Sequence, residues 1–201
     1  MHFRAPAIVC AALAHGENAV IARLLTEHQG VVAAYVAGGR GRQLRPVLIP
    51  GNTVAAEVRS KSETQLPFAR VELEQSRAPW LGEPLPAAAI SWVTAFTAIA
   101  LPERQAFPVL FGALQALLEA ICVAPSARGW ALGLVRYEVL VLRELGYGTP
   151  VSRPPDGDWA ALLDTFDRVG HELARYPLAD RRRDVMAARV LLRERLGRID
   201  S

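Results

Sequence analysis

The sequence has little lysine and little cysteine. Lys61 is the only lysine, so nearly all the positive charge is carried by arginine. Cys10 and Cys122 are the only cysteines, and each lies in an apolar run far from the other. The lack of a C-x-x-C pair excludes a cysteine zinc site. We expect two buried, reduced thiols of a cytoplasmic protein, with one disulfide between them as the alternative.

The residues that catalysis would need are also missing. The four histidines show no metal-ligand spacing. His15 and Glu17 share a turn, but no nucleophile or second base lies beside them. Residues 38–45 lack the Gly-Lys-Ser/Thr ending of a phosphate-binding P-loop. The sequence therefore favours a non-enzymatic protein that needs neither a cofactor nor a metal.

No segment is long and apolar enough to predict a membrane span. Residues 84–102 carry no charge, but the prolines at 84, 86 and 102 shorten their helical part. A spanning helix needs about 20 predominantly apolar residues, so we expect a buried core helix here. Hydrophobic residues make up 51% of the chain and charged residues 21%, which is typical of a globular protein with a real core.

The first part of the chain alternates with a period of two. Phe68 and Arg70 are interleaved with Ala69, Val71 and Leu73. Similar short patterns, separated by polar or glycine-containing turns, predict strands at 7–13, 20–26, 31–37, 53–60 and 66–75. Five short strands within about eighty residues predict a small barrel, because closure removes exposed sheet edges.

The apolar period then becomes helical. Helices are predicted at 87–101, 107–123, 128–145, 159–173 and 179–196. Gly146 fits a helix C-cap and Asp158 a helix N-cap. Prolines and a glycine between residues 75 and 86 mark a boundary. We therefore expect an α+β chain, with a five-stranded β-barrel at 1–80 and an all-α helical domain at 81–201.

Three arginines lie close together in a predicted loop, residues 38–52. Arg40, Arg42 and Arg45 have no acidic residue near them within the loop. Glycines at 38, 39 and 41 let the backbone bend and approach a ligand closely. Guanidinium groups suit phosphate, so the loop predicts nucleic-acid binding. The alternative is a solvated turn whose arginines bind nothing specific.

Further cations lie on nearby strands or turns. Residues 1–80 hold nine Arg and Lys against six Asp and Glu, so the excess positive charge lies there. We expect Tyr35 and Phe68 in the barrel core rather than as stacking platforms. Binding would then depend on phosphate contacts, with strong salt dependence and little sequence preference. The additional candidate contacts are Arg23, Arg59, Lys61 and Arg70.

Several segments, in this order and spacing, resemble the bacterial recombination mediator family RecO. The resemblance covers most of the chain, although no single segment is specific. The segments are AIV at 7–9, HGE at 15–17, LLT at 24–26 before Gly30, LRP at 44–46, PGN at 50–52, LVLRELGYG at 140–148 and the closing helix at 189–196.

The resemblance implies an N-terminal oligonucleotide-binding (OB-fold) barrel and a helical C-terminal domain. It also implies a role in DNA repair: binding single- and double-stranded DNA, annealing strands and helping to load a RecA-type recombinase. The implied partners are RecR and the C-terminal tail of single-stranded DNA-binding protein. Many relatives carry four zinc-binding cysteines after the Gly-Tyr-Gly segment. Residues 149–158 contain none, so we expect a zinc-free variant.

Arg136 and Arg143 are seven residues apart and share one face of an apolar helix. An apolar groove edged by arginines suits an acidic, hydrophobic tail, as the resemblance implies for single-stranded DNA-binding protein. Ordinary ion pairs with helix neighbours are the alternative. Two other classes of function stay open: an RNA-binding OB-fold protein, and a helical interaction scaffold without nucleic-acid binding. We expect a protein that is monomeric when free, cytoplasmic, and associated with the nucleoid during repair.

Overall fold

The computed structural model describes residues 1–62, 65–148, 154–155, 157–179 and 182–199. Within these ranges five strands form a closed barrel in the order β1-β2-β3-β5-β4. Every neighbouring pair is antiparallel except β3 and β5, which meet in parallel at Tyr35 and Phe68. The strands are β1 (His2–His15), β2 (Ala19–Thr26), β3 (Gly30–Val36), β4 (Thr53–Arg59) and β5 (Phe68–Gln75). The predicted five-stranded barrel is confirmed.

The barrel interior is filled by small aliphatic side chains. Alanine and valine dominate because a five-stranded barrel has little room inside. These residues alternate with outward-facing ones, as the period of two predicted. The interior residues are Ala7, Val9, Val20, Ala22, Leu24, Val32, Ala34, Val36, Leu48, Val54, Ala56, Val58, Ala69 and Val71.

Strand β1 begins earlier than its apolar run predicted. Residues 2–6 contain outward-facing polar side chains, so their sequence shows no continuous apolar run. Their backbone nevertheless pairs with β4, with His2 opposite Arg59 and Arg4 opposite Glu57. Sheet pairing therefore extends the strand beyond the region that hydrophobic periodicity identifies.

Five α-helices follow in the described part of the chain: α1 (Pro84–Ala100), α2 (Pro108–Val123), α3 (Ala131–Glu144), α4 (Trp159–Arg175) and α5 (Arg182–Gly197). Helix α1 begins three residues before its predicted start, because proline fits the first turn, where backbone N–H groups have no intrahelical partner. Helix α3 begins three residues late, because Ala127–Gly129 form a separate 3-10 turn. None of the helices in the described ranges combines the length and apolarity of a membrane span.

Both predicted caps are confirmed. The Asp158 carboxylate accepts a hydrogen bond from the backbone N–H of Ala161 at 2.9 Å. At the end of α3, Gly146 has a φ of 84°. The backbone N–H of Tyr147 donates to the carbonyl of Leu142 at 2.8 Å, as in a Schellman motif.

The chain divides into two compact units. Unit 1 contains Met1–Gly82 and Leu101–Phe111, and unit 2 contains Glu83–Ala100 and Gly112–Ser201. Residues 101–111 belong to unit 1, although the helical periodicity of the sequence begins before residue 101. The backbone N–H of Arg104 donates to the carbonyl of Val31 at 2.9 Å, which attaches this segment beside β3.

Unit 2 encloses a buried polar network. Glu138 on α3 is fully buried, and its carboxylate accepts from Trp92 Nε1 at 2.7 Å. Arg189 on α5 donates to both oxygens of the same carboxylate, at 2.9 and 2.8 Å. The Arg189 guanidinium also lies 3.6 Å from the centre of the Phe166 ring. These contacts join α1, α3, α4 and α5 around one ion pair.

Candidate nucleic-acid interface

The arginine loop, residues 38–52, is ordered by packing against the barrel. It contains no helix or strand, as predicted. Leu48 belongs to the barrel core, and Leu44 and Val47 pack against that core. The backbone N–H of Leu48 donates to the carbonyl of Leu44 at 3.0 Å, forming a turn. The loop therefore presents its arginines from a fixed base.

Gly39 has a packing role rather than a ligand-binding one. A Cβ atom at this position would lie 2.8 Å from the Cβ of Val20 and 3.0 Å from Leu48 Cδ1. Only glycine lets the loop approach the barrel so closely. The sequence predicted close approach to a ligand, which stays a prediction; the close neighbour of Gly39 in the structure is the barrel itself.

Asn52 fixes the far end of the arginine loop. Its side-chain nitrogen donates to the carbonyls of Pro46 and Val47, at 2.9 and 3.1 Å. Its side-chain oxygen accepts from the backbone N–H of Arg77 at 2.7 Å. Asn52 is fully buried, so these bonds satisfy groups that water does not reach.

The three loop arginines have different surroundings. Arg40 donates from Nη1 to the carbonyls of Gly16 and Glu17, at 3.1 and 3.0 Å, and so joins the loop to the β1–β2 turn. Arg42 and Arg45 are exposed, and neither makes an ion pair or side-chain hydrogen bond with a described residue. Arg42 and Arg45 are thus the loop cations most available to an external anion.

A second group of cations lies on β4, β5 and the turn between them. Arg59 donates from Nε to Glu57 Oε1 at 2.8 Å. Arg70 lies opposite Glu57 in the β4–β5 register, and Lys61 is exposed just after β4. The hydrogen bond from Arg59 holds the pKa of Glu57 below its usual value. One carboxylate therefore partly neutralises this group.

Arg23 is engaged in an ion pair. Its Nη1 lies 2.7 Å from Glu103 Oε1, and only 20% of its side chain is exposed. A role for Arg23 in DNA binding stays a prediction, and it would require this pair to open.

The aromatic residues of the barrel depart from expectation. Phe68 is 63% exposed, so its predicted core position was wrong. It shares the outward parity of Arg70, whereas Ala69 faces the interior. Tyr35 is half-buried and meets Phe68 edge to face, with ring centres 5.2 Å apart.

In unit 2, Arg136 and Arg143 are both exposed on α3. Arg143 Nη2 lies 3.5 Å from Glu144 Oε1, in a solvent-exposed pair. Among the described residues Arg136 forms no ion pair. Leu140, between them, is half-buried. The expected exposed, arginine-edged strip of the helix is present, and its role in partner binding stays a prediction.

Cys10 and Cys122 are both buried, and neither forms a disulfide. Burial raises the pKa of the Cys10 thiol to about 12. Across the described residues no three His, Cys, Asp or Glu side chains gather as a metal site. The segment expected to replace the zinc site of relatives falls largely on residues 149–153 and 156, outside the described residues.

Sequence reasoning missed the acids and amides that organise these cations. Glu103 and Glu138 pair with arginines that are distant in the sequence, whereas Glu57 pairs with Arg59 two positions away on the same strand. Asn52 was noted only as part of a Pro-Gly-Asn segment. A buried asparagine between a loop and a strand has no periodic signal, so only the structure reveals its bonds.

The closed five-stranded barrel followed by helices has the architecture of an OB-fold domain followed by a helical domain. Residues 1–77 match the family model described as recombination protein O N terminal, and residues 84–154 match the one described as recombination protein O C terminal. The chain therefore belongs to the RecO family, as the resemblance predicted.

Relatives named DNA repair protein RecO align over most of the chain. The one from Caulobacter vibrioides (strain NA1000 / CB15N) is 37% identical over 177 residues, covering 87% of this chain and 72% of that protein. The one from Rhodospirillum centenum is 42% identical over 149 residues, covering 74% of this chain and 58% of the relative. The one from Paracoccus denitrificans is 36% identical over 148 residues, covering 74% and 60%.

Proposed function

We propose that this protein is a non-enzymatic DNA repair and recombination mediator. Its N-terminal domain, residues 1–80, binds the phosphate backbone of DNA, and its helical domain, residues 81–201, binds a protein partner. Membership in the RecO family supports the role in repair. The observation that carries the DNA-binding part is the exposure of Arg42 and Arg45 on an ordered loop without an acidic partner among the described residues.

Phosphate contacts account for the breadth of the proposed activity. Guanidinium groups bind the backbone of single- and double-stranded DNA alike, because both display the same charged group. Neutralising phosphates lowers the repulsion between two strands, which promotes annealing of complementary sequences. The main contacts are Arg40, Arg42, Arg45, Arg59, Lys61 and Arg70. In this account the protein is cytoplasmic and joins the nucleoid during repair.

The proposed protein partners define the role of the mediator in DNA repair. Together with RecR, the protein helps a RecA-type recombinase load onto single strands coated by single-stranded DNA-binding protein. The acidic C-terminal tail of that coating protein binds the α3 strip between Arg136 and Arg143. Charged carboxylates meet the exposed guanidiniums, and an apolar anchor packs beside Leu140. The free protein is a monomer.

The test of DNA binding is a fluorescence anisotropy titration at several salt concentrations. Labelled single-stranded DNA, duplex DNA and a matched RNA strand are compared. We expect binding to both DNA forms, weakening steeply as salt rises. A preference for RNA in direct competition would favour the RNA-binding alternative. No salt-sensitive binding to any strand would leave the barrel as a scaffold and overturn the proposal.

The test of partner binding uses Arg136→Ala. We expect weaker binding of the C-terminal peptide of single-stranded DNA-binding protein, with DNA affinity near that of the wild type. Unchanged peptide binding, or a parallel loss of DNA binding, would show that peptide binding and DNA binding do not belong to separate domains in this way.

A further inference from the structure

An aromatic pair on the outer face of the barrel has no role in phosphate binding. Phe68 is 63% exposed at the start of β5. The Phe68 and Tyr35 rings meet edge to face at 68°, and the His15 ring packs edge-on against Tyr35 with ring centres 5.9 Å apart. Leaving a phenylalanine ring in water forfeits the stabilisation that its burial would give. A flat apolar surface is therefore maintained at this position.

The surroundings of Phe68 are cationic and concave. Phe68 and Arg59 are opposite each other in the β4–β5 register, and both line two separate surface depressions. Lys61 lines one depression, of about 860 Å³. Arg70 lines the other, of about 310 Å³. The ring therefore borders two recesses, each with its own cation, and the Glu57 carboxylate also lines the smaller one.

We propose that Phe68, supported by Tyr35, is a stacking site for an unpaired nucleobase of a single strand. This inference rests on the proposed DNA-binding function and adds a contact to the base. The base lies against the open face of Phe68. The phosphates on either side of that base contact Arg59 together with either Lys61 or Arg70. Tyr35 holds the Phe68 ring by its edge-to-face contact. Every base has a π-face, so the contact is tolerant of sequence.

The arrangement also distinguishes single-stranded DNA from duplex DNA. A base in a duplex is already stacked and paired, so it does not reach the ring without being unstacked. Phosphate contacts serve both strand states, whereas the ring serves only the single strand. Phe68 thus supplies a preference for single strands that the cations do not provide.

The position of Phe68 in β5 gives this side chain a structural role as well, and the experiment must separate that role from base stacking. Tyr35 and Phe68 form the parallel β3–β5 pair that closes the barrel, so an apolar contact between them also stabilises the fold. Phe68→Leu keeps an apolar side chain at this position but removes the flat ring. Phe68→Trp keeps a ring with a larger face.

The experiment measures the affinity of the full chain for an oligothymidylate and for an abasic strand of equal length. Phe68→Leu should weaken oligothymidylate binding about 5- to 150-fold, the range found for loss of one stacked base. Abasic-strand and duplex affinities should stay at the wild-type value, and so should the salt slope. Phe68→Trp should retain oligothymidylate affinity, and both variants should melt cooperatively.

The outcomes distinguish stacking from the proposed function. If wild-type protein binds both strands equally and Phe68→Leu changes neither affinity, phosphate binding stands and stacking is overturned. That result would also favour a protein partner for the exposed ring. If Phe68→Leu weakens binding to both strands equally, the ring acts through the fold, and stacking is again overturned. If wild-type protein binds no strand, the proposed function itself fails.

Discussion

Arg59 donates a hydrogen bond to Glu57, two residues earlier on β4, at 2.8 Å. The guanidinium stabilises the ionised carboxylate and so lowers the pKa of Glu57 below its ordinary value. Glu57 is therefore charged at neutral pH. It also lies opposite Arg4 on β1 and Arg70 on β5. Glu57 thus places a negative charge among the strand cations proposed to meet phosphate.

Replacing Glu57 with glutamine should strengthen DNA binding. The change removes the charge that opposes phosphate and releases Arg59 and Arg70 from its field. We expect roughly two- to fivefold tighter binding at low salt, the scale of one exposed charge pair. Anisotropy titration measures the gain. Glu194→Gln on α5 makes the same charge change outside the interface and should have no effect. Equal or weaker binding by Glu57→Gln would remove β4 and β5 from the DNA contact surface.

Asn52 should be a main determinant of barrel stability. Asn52→Ala leaves the carbonyls of Pro46 and Val47 and the N–H of Arg77 without the side-chain bonds they now make. We expect the free energy of unfolding to fall by about 2–4 kcal/mol, since buried polar groups lose their partner. Urea denaturation gives the value. Gln43→Ala removes an exposed amide from the same loop and should change stability little; equal losses in both variants would contradict the role of Asn52.

The ion pair of Glu138 and Arg189 should stabilise unit 2 only as a pair. Arg189→Met leaves a buried carboxylate with the Trp92 N–H as its remaining partner among these contacts, so we expect a loss of about 3–5 kcal/mol. The double variant Glu138→Leu, Arg189→Met removes both charges and should lose less than the sum of the single changes. Strictly additive losses in chemical denaturation would show that the two residues do not depend on each other.

Cys10 should make stability fall at alkaline pH. Burial raises its folded pKa to about 12 from 9.0. Below pH 9.0 both folded and unfolded chains keep the proton, so stability is fully present. Above it the unfolded chain releases the proton first, and stability should decline by about 1.4 kcal/mol per pH unit. Cys10→Ala should lack this component when unfolding is measured across the alkaline range. Identical pH profiles would show that the thiol titrates normally.

The fold was largely predictable because its signals are periodic. The alternation around Ala69 and Val71 identified a barrel strand, and the caps at Gly146 and Asp158 identified helix ends. The arginine loop was also visible, since a cluster of guanidiniums is a compositional feature. What the sequence could not show is which charges neutralise each other. Glu103 pairs with Arg23 from eighty positions away, and only the folded chain brings them together.

The position of Phe68 shows the same limit at the scale of one side chain. Its hydrophobicity favoured the core, but its parity with Arg70 placed it outside. Parity is the stronger constraint, because a strand cannot turn one residue inward without shifting its register. A stricter use of the period of two would have identified the exposed ring from the sequence.

The most direct test of the central claim is the salt dependence of single-stranded DNA binding by the Arg42→Ala, Arg45→Ala double variant. These side chains are exposed and make no ion pair with a described residue, so their loss should leave stability unchanged. The slope of log affinity against log salt should become shallower by about 0.7 for each lost phosphate contact. Arg136→Ala, Arg143→Ala removes equal charge from α3 and should keep the wild-type slope. A wild-type slope in the loop variant, or a reduced slope in the α3 variant, would contradict phosphate binding by the arginine loop.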